Sequence, residues 1–138
     1  MTQFFFRACV VIGLALVGTA AEAQVGKSVT IVDANVVSEA ELAKLPNMNP
    51  ARAKALVGGR PFLSMAALDK FLQGQGLNRM QLTELYGRLF LHLNLNTATR
   101  EEIGLIPGVG ARMIGEFLEY RPYKALAQFH REIDKYVD

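Results

Sequence analysis

Asn94–Tyr123, NLNTATREEIGLIPGVGARMIGEFLEYRPY, sets Ile106-Pro107-Gly108-Val109-Gly110 between two stretches of apolar residues at helical spacing. Two needs can put a proline and two glycines in so short a turn. One is mechanical: two helices reverse direction tightly there. The other is chemical: a ligand approaches bare backbone. Glycine serves both, because it enters positive φ freely and carries no side chain.

The stretch has a partner upstream. Shifted by 61 positions, DANVVSEAELAKLPNMNPARAKALVGGRPF, from Asp33, lies on it without a gap. Asn35 falls on Asn96, Ser38 on Thr99, Glu41 on Glu102, Pro46 on Pro107, and Arg60-Pro61-Phe62 on Arg121-Pro122-Tyr123. Ser38-x-x-Glu41 and Thr99-x-x-Glu102 both have the form of a capping box, in which two side chains satisfy free amides of a first helical turn.

Each unit therefore reads as a short helix (39–44 or 100–105), a proline-led turn, and a second helix (50–57 or 111–120). The Arg-Pro pair stops the second helix, because proline disfavours helical geometry in the residue before it. A third helix follows, 64–72 in the first unit and 125–136 in the second, with Ser64 as a cap. Between the units, NRMQLTELYGRLFLHL starts at Asn78 and carries Leu82, Leu85, Tyr86, Leu89, Phe90 and Leu93 at three- and four-residue steps. That stripe predicts one amphipathic helix packed on a core, with QGQG before it as a turn. Residues 29–32 alternate weakly and read as a short extended arm. The expected fold is all-α, two tandem units joined by a connecting helix.

The first 23 residues belong to a different kind of signal. Arg7 precedes an apolar run from Ala8 to Val17, and Ala21-Glu22-Ala23 offers a small-residue cleavage site. This is the pattern of a secretory signal peptide, and the run is short of the roughly 20 residues that span a bilayer. The expected organisation is a signal over 1–23 cut after Ala23, an arm over 24–32, a first unit with the connecting helix over 33–93, and a second unit over 94–138. The expected location is the periplasm or the outside of the cell, with no membrane attachment after cleavage. The single cysteine, Cys9, lies in the signal, so the processed chain would hold no thiolate nucleophile, disulfide or thiolate metal site.

Gly110 stands just before a helix whose first amides have no internal partner and whose dipole adds partial positive charge. Such a turn is a place for a phosphate oxygen, with Arg112 in the following helical turn and Lys124 beyond it as charged candidates. Contacts of this kind bind phosphate rather than base and are blind to sequence. The first turn, Leu45-Pro46-Asn47-Met48-Asn49, has asparagine at both glycine positions. Asparagine tolerates left-handed geometry, and Asn49 suits an N-cap ahead of Pro50; this turn reads as structural. Asn47, Asn49, Arg52 and Lys54 are its secondary candidates. Charge gathers weakly in both units. The first carries seven Lys and Arg against five Asp and Glu, the second six against seven, and the whole chain is at +2. A duplex-binding face usually concentrates positive charge.

With these residues in view, NLNTATREEIGLIPGVGARM resembles a helix-hairpin-helix motif. Asn94-Leu95-Asn96-Thr97-Ala98 before its first helix resembles the ComEA-like competence DNA receptor family. The resemblance covers nearly all of the chain after the signal if both units count, and only the second carries the motif well. It implies an exported, double-hairpin protein that binds double-stranded DNA without sequence preference, with Gly108, Val109 and Gly110 offering backbone amides to phosphate. The same scaffold also serves structural subunits, as the extrinsic subunit of photosystem II illustrates. A protein-protein interaction subunit of an envelope or periplasmic complex is therefore the alternative.

Other residues read as structural. Arg60 and Arg121 recur at one place in both units and are expected to pair with Glu41 and Glu102. Tyr120, Tyr123, Phe129 and Tyr136 read as core or half-buried. His92 is expected to end the connecting helix, where a cation suits the dipole, and His130 to be solvated beside Arg131. No metal spacing, nucleotide-binding loop or catalytic constellation stands out, and the chain is too short for a base-flipping pocket around Asp134. The expectation is a binding protein, not an enzyme, without cofactor, metal or small-molecule substrate.

Overall fold

The computed structural model describes residues 30–136. The segment read as a signal and most of the arm lie outside the described residues.

The local signals of the first unit place its helices. Ser38 and Glu41 form the capping box that opens α1 (Glu39–Leu42). Asn49 accepts from the Arg52 amide and opens α2 (Pro50–Gly58), with Pro50 at the first position. Ser64 accepts from the Ala67 amide and opens α3 (Met65–Gly74). Asn78 and Gln81 form a second capping box at α4 (Arg79–Tyr86). Leu42, Leu56, Leu68, Leu72, Leu82 and Leu85 have no exposure and gather into one core. Burial of each stabilises the fold by about 1.5–3 kcal/mol.

The stripe read as one helix to Leu93 breaks at Gly87. Gly87 N–H donates to the Glu84 carbonyl at 3.3 Å and Arg88 N–H to the Leu85 carbonyl at 2.9 Å, which ends α4. The chain then straightens into β2 (Leu89–Phe90), which pairs in parallel with β1 (Val32–Asp33), Val32 opposite Leu89. Leu89 and Leu91 point into the core while Phe90 is half-buried and His92 exposed. That is the two-residue alternation of a strand. Of the expected arm only Val32 lies in this strand, which runs on into Asp33. His92 lies beyond β2 rather than at a helix end, with Nδ1 2.8 Å from Asp33 Oδ2.

The second unit repeats the first in side-chain detail. Thr99 and Glu102 box the start of α5 (Arg100–Gly104), followed by α6 (Ala111–Glu119), α7 (Leu126–Ile133) and a 3-10 turn (Asp134–Tyr136). Its smaller core holds Ala98, Ile103, Phe117, Tyr123 and Ile133. Tyr120 and Phe129 are half-buried against it, and Tyr136 is half-buried at the end of the described residues. The architecture is mainly helical, with the strand pair as its one sheet among the described residues.

The two recurring arginines are structural, but their partners are not the glutamates. Arg60 Nε and Nη2 donate to the Ala34 and Val37 carbonyls at 2.8 and 2.6 Å. Arg121 does the same to Leu95 and Ala98 at 2.7 Å each. Glu41 and Glu102 are committed to their capping boxes. The planar guanidinium reaches two carbonyls at once, which clamps the segment before the first helix of each unit to the end of the second helix.

Candidate functional site

Among the described residues three turns share one backbone plan: a left-handed residue, an apolar residue, then an N-cap. Asn47 (φ 60), Met48 and Asn49 make the first, between α1 and α2. Gly108 (φ 84), Val109 and Gly110 make the second, between α5 and α6. Gly76 (φ 81), Leu77 and Asn78 make the third and join α3 to α4. The third lay inside what reads as a mere QGQG turn. Its signal was there: glycine, leucine and a capping asparagine ahead of a helix.

The first and third turns lie side by side, joined by Arg52. Its Nη1 donates to the Asn47 carbonyl at 2.9 Å and its Nε to the Gln75 carbonyl at 3.2 Å. The cation expected to be available for a ligand is therefore engaged between two turns of its own chain. Asn47 is engaged as well: its Nδ2 donates to the Gln81 carbonyl at 3.2 Å and to Glu84 Oε2 at 2.9 Å. That contact seats α4 on the first turn. Asn49 spends its side-chain oxygen on the cap. Lys54 is exposed on α2.

The second turn is open. An added Cβ at Gly108 or Gly110 would meet nothing within 4 Å. Gly110 supplies no side-chain cap. Among the described residues the N–H groups of Gly108, Gly110, Ala111, Arg112 and Met113 donate to no protein acceptor. Val109 differs from the expectation: its N–H closes the turn on the Ile106 carbonyl at 3.1 Å. The residue after the left-handed glycine spends its amide within the turn, so two turn amides and three helix amides are left without a protein acceptor rather than three turn amides.

Charge near this turn is modest. Arg112 is largely exposed but lies back along α6, with Nε 4.0 Å from Glu116 Oε1 and its guanidinium 5.4 Å from the centre of the Tyr136 ring. The stacked pose leaves its outer edge to solvent. Lys124 is exposed in the α6–α7 connection and enters no ion pair among the described residues. Lys135 sits over Tyr120, donating to its hydroxyl at 3.1 Å, and that bond holds its pKa above the ordinary value.

Two perturbed groups, Asp69 and Tyr86, meet elsewhere, between α3 and α4. Asp69 is 6% exposed and accepts from the Tyr86 hydroxyl at 2.7 Å and from Arg79 at 2.9 and 3.1 Å. Burial pushes its carboxyl up, and bonds from Arg79, Tyr86 and Gln73 outweigh burial, leaving it below its ordinary value. Burial, then the bond to Asp69, pushes the Tyr86 phenol well up. Among the described residues no buried side-chain polar atom of this structural network lacks a partner. Clefts of about 360 and 400 Å³ lie where β1, β2 and residues 92–94 meet the second unit, the first lined by Ile31, Phe90, Leu93, Ile106 and Pro107. Among the described residues no three His, Cys, Asp or Glu side chains are grouped to hold a metal ion, and no helix is long and apolar enough to cross a membrane. Comparison with protein-family models, curated proteins and solved structures returns no match.

Proposed function

We propose that the chain is an exported tandem helix-hairpin-helix protein that binds double-stranded DNA without sequence preference. It acts in DNA capture or uptake, holding phosphate oxygens on backbone amides of the second turn. One observation supports the reading: the amides of Gly108 and Gly110 and the first three of α6 donate to no protein acceptor among the described residues, and both glycines are exposed with open space around an added Cβ. The helix dipole adds positive potential there, and the arrangement suits an anion. Arg112 and Lys124 are the side chains that add charge. The first turn takes no part, because Asn47 and Arg52 are committed internally.

The test is fluorescence anisotropy of the chain with unrelated duplexes over a salt series. Contact with two or three phosphates gives a log–log salt slope of about −2 to −3. Gly110→Glu is the decisive variant. Gly110 has an ordinary φ of −91 and open space ahead of it, so glutamate fits the fold while setting a carboxylate before the amides. Affinity that survives this change refutes the site.

The alternative is a structural interaction subunit of an envelope or periplasmic complex on the same scaffold. It is favoured by the use of Arg52 and Asn47 as internal braces. No duplex binding at low salt selects it.

A further inference from the structure

Arg112, Glu116, Tyr120 and Lys135 fall, under the 61-residue shift, on Ala51, Ala55, Gly59 and Gly74, and Tyr136 falls on Gln75. The first unit builds the larger core with alanine and glycine at those four places. The shared helical plan therefore does not require charged or phenolic side chains there. In the second unit they meet. The Arg112 guanidinium lies 5.4 Å from the centre of the Tyr136 ring, and Lys135 Nζ lies 5.2 Å from the same centre and 4.9 Å from that of Tyr120.

Within this cluster the cations are the exposed members. The side chains of Arg112 and Lys135 are 82% and 46% exposed, those of Glu116 and Glu132 only 22% and 20%. Arg112 Nε is 4.0 Å from Glu116 Oε1, too long for a hydrogen bond. Lys135 donates to the Tyr120 hydroxyl at 3.1 Å and lies 3.5 Å from Glu132 Oε2, which leaves one of the three ammonium donors over. The first unit supports an arginine differently. Arg52 spends Nε on the carbonyl of Gln75 and Nη1 on that of Asn47. At the place of Gln75 the second unit offers a ring face, which attracts a cation through its quadrupole and consumes none of its N–H donors.

We propose that Arg112 and Lys135, supported on the Tyr136 ring, form a phosphodiester site that takes a second phosphate of the strand seated at the Gly110 turn. Arg112 stands in the first turn of α6, so the two sites are continuous. A guanidinium can grip two phosphate oxygens and an ammonium acts as a point charge. Tyr136 is a positioning residue that acts through both cations. The proposal rests on the duplex reading and extends its surface to the 3-10 turn Asp134–Tyr136.

The test is the salt dependence of duplex affinity for the full chain, with the thermal melt recorded beside it. Lys135→Gln is expected to make the log–log slope shallower by about 1 and to weaken binding severalfold at fixed salt, with little change in the melt. Lys135→Arg is expected to keep the slope. Tyr136→Leu is expected to weaken binding severalfold, whereas Tyr136→Phe keeps the ring and stays within twofold. A merely structural role would move the melt and leave the slope. Binding that Gly110→Glu abolishes, with slope and affinity unchanged in Lys135→Gln and Tyr136→Leu, overturns the proposal and leaves the turn as the whole site. Binding that survives Gly110→Glu, with a shallower slope in Lys135→Gln, removes the turn and supports this site. No duplex binding by the unaltered chain at low salt overturns both.

Discussion

Asn35 and Phe62 hold each other through two hydrogen bonds: the Phe62 amide donates to Asn35 Oδ1 at 2.8 Å, and Asn35 Nδ2 donates to the Phe62 carbonyl at 2.9 Å. Asn96 and Tyr123 repeat the pair at 2.7 and 2.9 Å. A primary amide is the one side chain that mimics a peptide group in both directions, which explains why the shift of 61 keeps asparagine here. Asn35→Ala and Asn96→Ala are each expected to lower stability by about 1–3 kcal/mol, since each leaves a part-buried amide and carbonyl without partners. Asn→Asp at either place keeps the acceptor but sets a carboxylate against a carbonyl, so it is expected to fall at least as far as alanine. Urea denaturation of the single variants decides this.

The bond network of Asp69, Arg79 and Tyr86 sets the response to pH. The folded-state pKa of Asp69 is depressed. Its contribution is therefore present above the unfolded value of about 3.9 and lost as pH falls through the folded value. Tyr86 is raised, so its contribution is present below about pH 10 and lost as pH rises toward the folded value. Asp69→Asn is expected to lower stability at pH 7 by about 2 kcal/mol and to flatten the acid limb of a stability–pH curve. Tyr86→Phe is expected to lower it by about 1 kcal/mol and to flatten the alkaline limb. Denaturation midpoints across the pH range read both; unchanged limbs would dissociate the network from the titration.

The parts of the fold legible in the sequence were those decided within a few residues. Both Ser/Thr-x-x-Glu boxes, Ser64, Asn49 and Asn78 all cap the helices they precede. What failed was decided at a distance. Leu89 and Phe90 fit a helical stripe as well as a strand, and Leu89, Leu91 and Leu93 also fit a period of two. Pairing with Val32, far back in the chain, chose the strand. Arg60 and Arg121 were legible as structural and illegible as to partner, because a carbonyl leaves no mark in a sequence. The same holds for Arg52, whose two acceptors are backbone oxygens of separate turns. At the second turn, Gly108 and Gly110 were legible as bare, while the bond from the Val109 amide depends on how the turn closes.

Arg52→Met separates bracing from binding. Methionine is the residue at the corresponding place in the second unit, Met113. Loss of the guanidinium frees the Asn47 and Gln75 carbonyls, which water can partly resatisfy, so the expected loss of stability is about 1 kcal/mol. Duplex affinity is expected to stay within twofold, whereas Lys124→Glu and Arg112→Glu are expected to weaken it severalfold with little change in the melt. Affinity that collapses in Arg52→Met with an unchanged melt would relocate the interface to the first and third turns.

The last prediction concerns what Gly110 forgoes. Its counterpart Asn49 caps α2, with its side-chain oxygen on the Arg52 amide at 2.8 Å; Gly110 leaves the first amides of α6 uncapped. Backbone geometry does not require glycine at 110, because φ is −91 and no atom lies within 4 Å of an added Cβ. At Gly108, with φ 84, it nearly does: Gly108→Val is expected to lower stability by about 1–2 kcal/mol, while Gly108→Asn is expected to stay milder, as Asn47 adopts the same conformation. Gly110→Asn should add a cap and raise stability by a few tenths of a kcal/mol. If the α6 amides serve a phosphate, that same cap occupies one of them, so the variant should melt higher and bind duplex more weakly. A glycine kept for approach rather than for backbone conformation produces this opposition between stability and affinity. If Gly110→Asn raises the melt and leaves duplex affinity intact, the uncapped amides have no role in binding.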